Sequence, residues 1–136
     1  LHKFEHMLNV SPLQFGFQKK LSCSHAIYAL RSITEYYTAG SSTVNAAFLD
    51  LSSAFDKVVY DVLFKKLIKL GLPPSLIKLL YFWYMNSNVY VRWGMYNSYN
   101  FMLKAGVIQG GVLSPIVFCI YVDCILKSLE SSKLGC

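Results

Sequence analysis

The sequence predicts a mixed α+β domain, on three observations. Helix-period and strand-period stretches alternate along 136 residues without an even repeat. Apolar residues make up 54 % of the chain, ample for a buried core and far above what a disordered chain carries. Finally, Val89-Tyr90-Val91-Arg92-Trp93 alternates with period two and faces Tyr99-Asn100-Phe101-Met102-Leu103 across a turn region at Gly94–Ser98, a hairpin pattern. The expected architecture is helices packed on a small, mainly antiparallel sheet.

Taken in order, residues 1 to 13 carry little beyond Pro12, which favours extended backbone. Gly16 permits a tight turn between Phe15 and Phe17, and Lys19 and Lys20 behind it either reach phosphate oxygens or sit in a solvated loop. Ser22 can cap an amphipathic scaffold helix in which Ala26, Ile27, Leu30, Ile33 and Tyr37 recur up to Gly40, with His25 off the stripe and without a partner in sequence. Thr43 to Leu51 is a short apolar run between Gly40-Ser41-Ser42 and Ser52-Ser53, the pattern of a strand buried on both faces. Asp61 can cap a second helix with the stripe Leu63, Phe64, Leu67 and Ile68 and, opposite it, a lysine face of Lys65, Lys66 and Lys69 that reads as a solvated surface more than as a phosphate track. Gly71 stops it and Pro73 forbids its continuation.

A third helix starts near Pro74-Ser75 and runs through Leu76, Ile77, Leu79, Leu80, Phe82 and Trp83, apolar over so wide an arc that much of it is expected in the core. After the hairpin, Gly106 to Gly111 makes a glycine-rich bend before Ser114-Pro115, a cap followed by proline at the first helical position. The closing helix runs from Ile116 to about Leu129, with Asp123 and Lys127 at a stabilising i,i+4 spacing. The apolar run Val112 to Leu126 falls short of the ~20 residues that span a bilayer and contains Pro115 and Asp123, so a buried helix is expected and no membrane partner.

The net charge of +6, from 13 Lys+Arg against 7 Asp+Glu, favours a polyanionic partner. Asp50, Asp56 and Asp61 nonetheless form a local negative spot. Cys23, Cys119, Cys124 and Cys136 lack the paired short spacings of a zinc site and suit a reducing, intracellular setting. No secretory signal is visible, and the start at Leu1 fits a piece of a longer chain.

Asp50 closes the expected central strand. A carboxylate at the mouth of a sheet can hold a hard cation and still reach solvent, whereas one buried mid-strand would cost several kcal/mol unpaired. Five residues on, Phe55 can turn back over the same mouth. A metal-holding acid beside a pocket-shaping aromatic suits nucleotidyl transfer; the plainer alternative is an Asp that caps a turn.

The stretch Leu49-Asp50-Leu51-Ser52-Ser53-Ala54-Phe55-Asp56-Lys57-Val58 has Gln14-Phe15-Gly16-Phe17 upstream and Ala105-Gly106-Val107-Ile108-Gln109-Gly110-Gly111-Val112-Leu113-Ser114-Pro115 downstream. Together these resemble the reverse transcriptases of non-LTR (LINE-like) retrotransposons, over roughly residues 14 to 136. The resemblance implies part of a right-hand polymerase, with about 14–45 as a fingers-like segment and 46–136 as the first part of the palm. In that family a Tyr-Ala-Asp-Asp segment, bearing the other catalytic carboxylates, follows shortly after the region of Leu134-Gly135-Cys136.

By the same resemblance Asp50 is the catalytic ligand of Mg²⁺ (or Mn²⁺), two ions in the complete enzyme, with the Leu51 carbonyl as a second donor. Phe55 matches the steric gate against a 2′-hydroxyl, its alternative role being a core aromatic. Gln109 and Gly110 match the segment that packs on the incoming nucleotide and template. The family usually has Arg or Lys where Gln18 stands and Gly where Lys20 stands, so the triphosphate contact either falls to Lys19 or Lys20 or is lost. Asp56 is expected to hold the turn. The implied partners are an RNA template, a DNA primer, dNTPs and the rest of a retrotransposon polyprotein. Alone, the chain is expected to be inactive, since one carboxylate cannot hold two ions. Ser53 and Ile108 stand where the family often has Lys and either Pro or Arg, which fits the alternative of a decayed, non-catalytic remnant that binds nucleic acid weakly.

Overall fold

The structure, a computed structural model, describes residues 10–133; Cys136 and most of the N-terminal stretch before Pro12 lie outside the described residues. Four helices and one hairpin make it up: α1 (Cys23–Ala39), α2 (Tyr60–Lys69), α3 (Pro74–Met85), β1 (Asn88–Val89), β2 (Arg92–Trp93), β3 (Tyr96–Asn97), β4 (Phe101–Met102) and α4 (Ser114–Ser132). The α+β class holds, but the sheet is no platform. Among the described residues the helices pack on one another, α2 against both α3 and α4, with the hairpin to one side.

The core follows from the stripe of α2. Leu63, Phe64 and Leu67 are buried, and they meet Leu80 and Tyr84 of α3 and Val117 and Ile120 of α4. Val58, Leu72 and Val107 close it from the connecting loops. Ile68, expected on that stripe, is instead exposed. After Lys69 the Gly71 amide donates to the Ile68 carbonyl at 2.9 Å, and α3 begins with Pro74, so the stop signals act where they were expected.

Three expectations fail, each for a physical reason. Residues 43–52 form no strand: no backbone bond ties them to a described residue, and Phe48 and Leu49 are 80 % and 88 % exposed. A strand without a ladder partner leaves its amides and carbonyls to water, however β-prone its side chains. Helix α1 forms with Ser22 at its N-cap, yet it buries no residue, so its stripe scaffolds nothing among the described residues. The Ser22 hydroxyl bonds the His25 ring at 2.9 Å rather than capping the backbone, which gives His25 a partner. Helix α3 buries only Leu80 and Tyr84, leaving Leu79, Phe82 and Trp83 exposed, because α2 and α4 cover one side of it and nothing described covers the other.

Smaller corrections concern caps and side chains. Val59, not Asp61, caps α2, and Leu113, not Ser114, caps α4. Lys66 leaves the solvated lysine face. Its ammonium donates to the Tyr121 carbonyl, meets the Cys124 thiol at 2.9 Å and lies 4.7 Å from the centre of the Tyr121 ring. The hairpin forms with a tighter turn than expected, since Tyr96-Asn97 pair with Arg92-Trp93 and only Gly94-Met95 remain in the loop. No described helix is long and apolar enough to cross a membrane.

Candidate functional site

The segment carrying Phe55 is fixed to the segment carrying Gly106. The Gly106 amide donates to the Val58 carbonyl at 2.9 Å, and the Val107 amide donates to the Phe55 carbonyl at 2.8 Å. These two bonds join stretches about fifty residues apart in sequence and carry Phe55 and Val58 against the core. Gly106 sits at φ +93°, and a Cβ there would stand 3.1 Å from the Asp56 Cα and carbonyl oxygen and 3.2 Å from the Phe55 carbonyl oxygen. Only glycine permits both that backbone angle and that approach.

Phe55 is half-buried, with its ring centre 4.8 Å from that of Phe118 on α4, a tilted pair worth about 0.5–1.5 kcal/mol beyond its buried area. Before it, the Asp56 and Lys57 amides both donate to the Ser53 carbonyl at 3.1 Å, and Ser53 itself lies at φ +55°. Asp56 ends this turn with its backbone amide bonded into it and its side chain exposed. Asp50 and Leu51 precede the turn on the unpaired stretch and are exposed. Gln109 and Gly110 are exposed as well, at the tip of a turn closed by the Gly111 amide on the Ile108 carbonyl at 3.0 Å. The Ser114 hydroxyl donates to that same carbonyl at 2.5 Å, so the first turn of α4 holds the loop's base.

The upstream segment docks on the next residues of α4. Gln14 donates through Nε2 to the Cys119 sulfur at 3.4 Å, and the Cys119 thiol donates to the Gly16 carbonyl at 3.6 Å. Burial pushes the Cys119 thiol up from its ordinary value, the Gln14 bond opposes that, and the charge of Asp123 adds to it. Asp123, 7 % exposed, accepts from the Ser11 amide at 2.7 Å and pairs with Lys127 at 2.6 Å. The carboxylate read as a helix-stabilising partner therefore also ties the N-terminal segment down. Lys19 and Lys20 follow on the exposed turn, Lys20 at φ +63°.

α4 thus gathers the three sequence motifs, with Phe118 on Phe55, Cys119 on Gln14 and Gly16, and Ser114 on Ile108. Phe118, Cys119 and Ser11 were not singled out as positioning groups by the sequence; a Phe-Cys pair in an apolar run reads only as core. Among the described residues no three His, Cys, Asp or Glu side chains group together. Asp50 and the Leu51 carbonyl could offer two oxygens to a hard cation, which is a fraction of an octahedral shell. The described residues do not make a two-ion site.

A family model of the reverse transcriptases (RNA-dependent DNA polymerases) matches residues 1–136. The chain belongs to the reverse transcriptase family. It is 31 % identical over 110 residues to a protein named probable RNA-directed DNA polymerase from transposon BS of Drosophila melanogaster, covering 79 % of this chain. It is 34 % identical over 110 residues to the probable RNA-directed DNA polymerase from transposon X-element of the same organism, again over 79 % of the chain. Against a retrovirus-related Pol polyprotein from the type-2 retrotransposable element R2DM, also of Drosophila melanogaster, identity is 26 % over 131 residues and 94 % of the chain. The chain spans 12 % of the length of each of these relatives. No solved structure matches significantly.

Proposed function

We propose that this chain is the part of a retrotransposon's RNA-directed DNA polymerase that contributes the first catalytic carboxylate and one wall of the nucleotide pocket. Residues 14–45 serve as a fingers-like segment and 46–136 as the start of the palm. The observation that supports it best is the pairing of Phe55 with Val107 and of Val58 with Gly106, which puts the two motif segments of the resemblance side by side.

In this reading Asp50 and the Leu51 carbonyl are this chain's donors to divalent metal, Mg²⁺ or Mn²⁺, which, when held together with carboxylates from outside the described residues, would supply activation of a 3′-hydroxyl and charge neutralisation of a pyrophosphate. Phe55, held by one face on Phe118, presents its remaining surface to the sugar and excludes a 2′-hydroxyl. Gln109 and Gly110, on an open loop whose backbone a nucleotide can approach, contact the base pair being formed, and the amide can both donate and accept. Lys19 or Lys20 meets the triphosphate as a point charge. The partners are an RNA template, a DNA primer, dNTPs and the remainder of the polyprotein.

A second reading, a non-catalytic remnant with weak affinity for nucleic acid, is favoured by the exposure of Asp50 on an unpaired stretch. A full-length reverse transcriptase that carries this segment tests the first reading: no primer extension by the intact protein favours the remnant, and where it extends primers the roles of Phe55 and Asp50 are read by mutation. Phe55→Val is expected to raise the ratio of ribonucleotide to deoxynucleotide incorporation, and Asp50→Ala to abolish both. Were Phe55 only a core ring, its truncation would cost about 1–3 kcal/mol of stability and lower both activities alike. An unchanged ratio in a folded Phe55→Val protein rejects the gate; activity retained by Asp50→Ala rejects the metal-ligand role.

A further inference from the structure

The hairpin carries chemistry that the polymerase reading leaves unused. Trp93 and Tyr96 are direct cross-strand partners, so their rings stand on one face, and they are 84 % and 81 % exposed. Met95 stands at the tip between them. Farther down, the Ser98 amide donates to the Val91 carbonyl at 2.9 Å while Val89 pairs with Phe101, so Tyr99 and Asn100 together oppose Tyr90. That is a β-bulge, and it turns Tyr99 out to 97 % exposure.

Large aromatics left in water on a short hairpin call for an occupant. The polar residues between them say which. Asn88, Asn97, Ser98 and Asn100 interleave the rings, unlike the continuous leucine-rich face that Leu76, Leu79 and Leu80 offer on α3. Charge points the same way. Between Asp61 and Asp123 the sequence has no acidic residue but carries Lys65, Lys66, Lys69, Lys78, Arg92 and Lys104. Arg92 precedes Trp93 on the same strand and pairs with Asn97, so it stands on the opposite face of the ribbon from the two rings, and Lys104 lies at the hairpin's foot, both exposed.

We propose that the face of the hairpin bearing Trp93 and Tyr96 is a stacking platform for the unpaired bases of single-stranded nucleic acid, with Lys104 at the hairpin's foot and the long Arg92 side chain, reaching round the edge of the two-stranded ribbon from its other face, neutralising the flanking phosphates. Aromatic rings beside cationic side chains are what sequence-tolerant single-strand binding requires, since every base has a face to stack and every linkage a charge. The platform deepens the nucleic-acid partnership proposed above but does not rest on Asp50 or Phe55.

The test uses the 136-residue chain with Trp83→Phe, so that Trp93 is its sole tryptophan, and oligo(U) and oligo(dT) of 20 nucleotides against a 20-bp duplex at 50 mM salt. Either single strand should quench Trp93 emission and bind at least about tenfold more tightly than the duplex. In anisotropy titrations, Trp93→Ala should weaken single-strand binding about 5- to 150-fold, the loss of one base–aromatic stack, while Tyr96→Phe, which keeps the ring, should leave it within about twofold. These positions are exposed, and circular dichroism checks that each variant keeps its fold. A purely electrostatic surface would bind the duplex as well or better, because its charge density is higher, and that result overturns the proposal. So does unchanged binding by a folded Trp93→Ala variant. Trp93 emission that shifts with protein concentration and ignores both strands would assign the face to a second copy of the chain and would likewise overturn it. Primer extension enters none of these readouts, so the platform and the polymerase reading can fail independently.

Discussion

Gly106→Ala tests whether the contact between the two motif segments is as close as the structure has it. Two costs act at this position. The φ of +93° is unfavourable for any residue with a Cβ, at about 1–2 kcal/mol. The added methyl would also stand 3.1 Å from the backbone of Asp56, which is held by the Ser53 turn and cannot yield as a flexible side-chain end would. Forcing a methyl into such a site costs about 1–3 kcal/mol more. Gly110→Ala separates the two terms, because Gly110 lies at φ +82° with nothing within 4 Å of its Cβ position, so it carries strain alone. Urea unfolding followed by far-UV circular dichroism reads the difference. With a slope of about 2 kcal/mol per molar, Gly106→Ala should have its midpoint roughly 0.5–1.5 M below that of Gly110→Ala, which in turn lies below the parent. Coincident midpoints for the two variants would refute the close approach and, with it, the docking of Phe55 against Val107.

Tyr60→Phe should stabilise the chain by about 1 kcal/mol in the same assay, since the Tyr60 hydroxyl is buried without a hydrogen-bond partner among the described residues and its removal recovers a desolvation cost; a loss of stability would mean the hydroxyl is satisfied. Burial raises the Cys119 thiol above its ordinary 9.0 and the Tyr60 and Tyr84 phenols above 10.0, with Tyr60 adding to the rise at Tyr84. The unfolded chain therefore releases these protons first, so stability should fall as pH rises from about 9, and a midpoint flat to pH 11 would contradict the burial of these groups. Asp123→Ala should free the segment from Ser11 to Lys20, read as faster amide exchange there with α2 unchanged, because it removes the acceptor of the Ser11 amide; equal exchange would show that the segment is held elsewhere. Finally, primer extension on an RNA template with dNTPs and Mg²⁺ by the 136-residue chain alone should give no product, and template-dependent extension would show that one carboxylate suffices.

What the sequence made legible was whatever depends on near neighbours. The α2 stripe of Leu63, Phe64 and Leu67, though not Ile68, the stop at Gly71 and Pro73, the hairpin and the Asp123–Lys127 pair all rest on spacings of a few residues, and all are present. What it hid depends on distant partners. Lys66 reads as one of three solvated lysines until α4 brings the Tyr121 carbonyl and the Cys124 thiol beneath it. The apolar pattern of Thr43 to Leu51 states a β preference but cannot supply a ladder partner, and without one the stretch stays open. Of the candidate site, Phe55 could be placed by its motif, yet neither Phe118 beneath it nor the Val107 bond behind it has any signal in the local pattern.

The two halves of the candidate site are therefore ordered by different means. Phe55 has its ring on Phe118 and its carbonyl bonded to Val107, so the wall proposed for a nucleotide pocket is set by contacts within the described residues. Asp50 stands five residues earlier, beyond the Ser53 turn, on a stretch with no such tie. Fixing a carboxylate against a metal requires its backbone to be held, and an extended backbone is held chiefly by a neighbouring strand. Under the proposed roles of Phe55 and Asp50, sugar selection and metal binding should then respond differently to whatever pairs with residues 43–52. The shape of the pocket beside Phe55 would change little on that pairing, while the position of Asp50 would be decided by it.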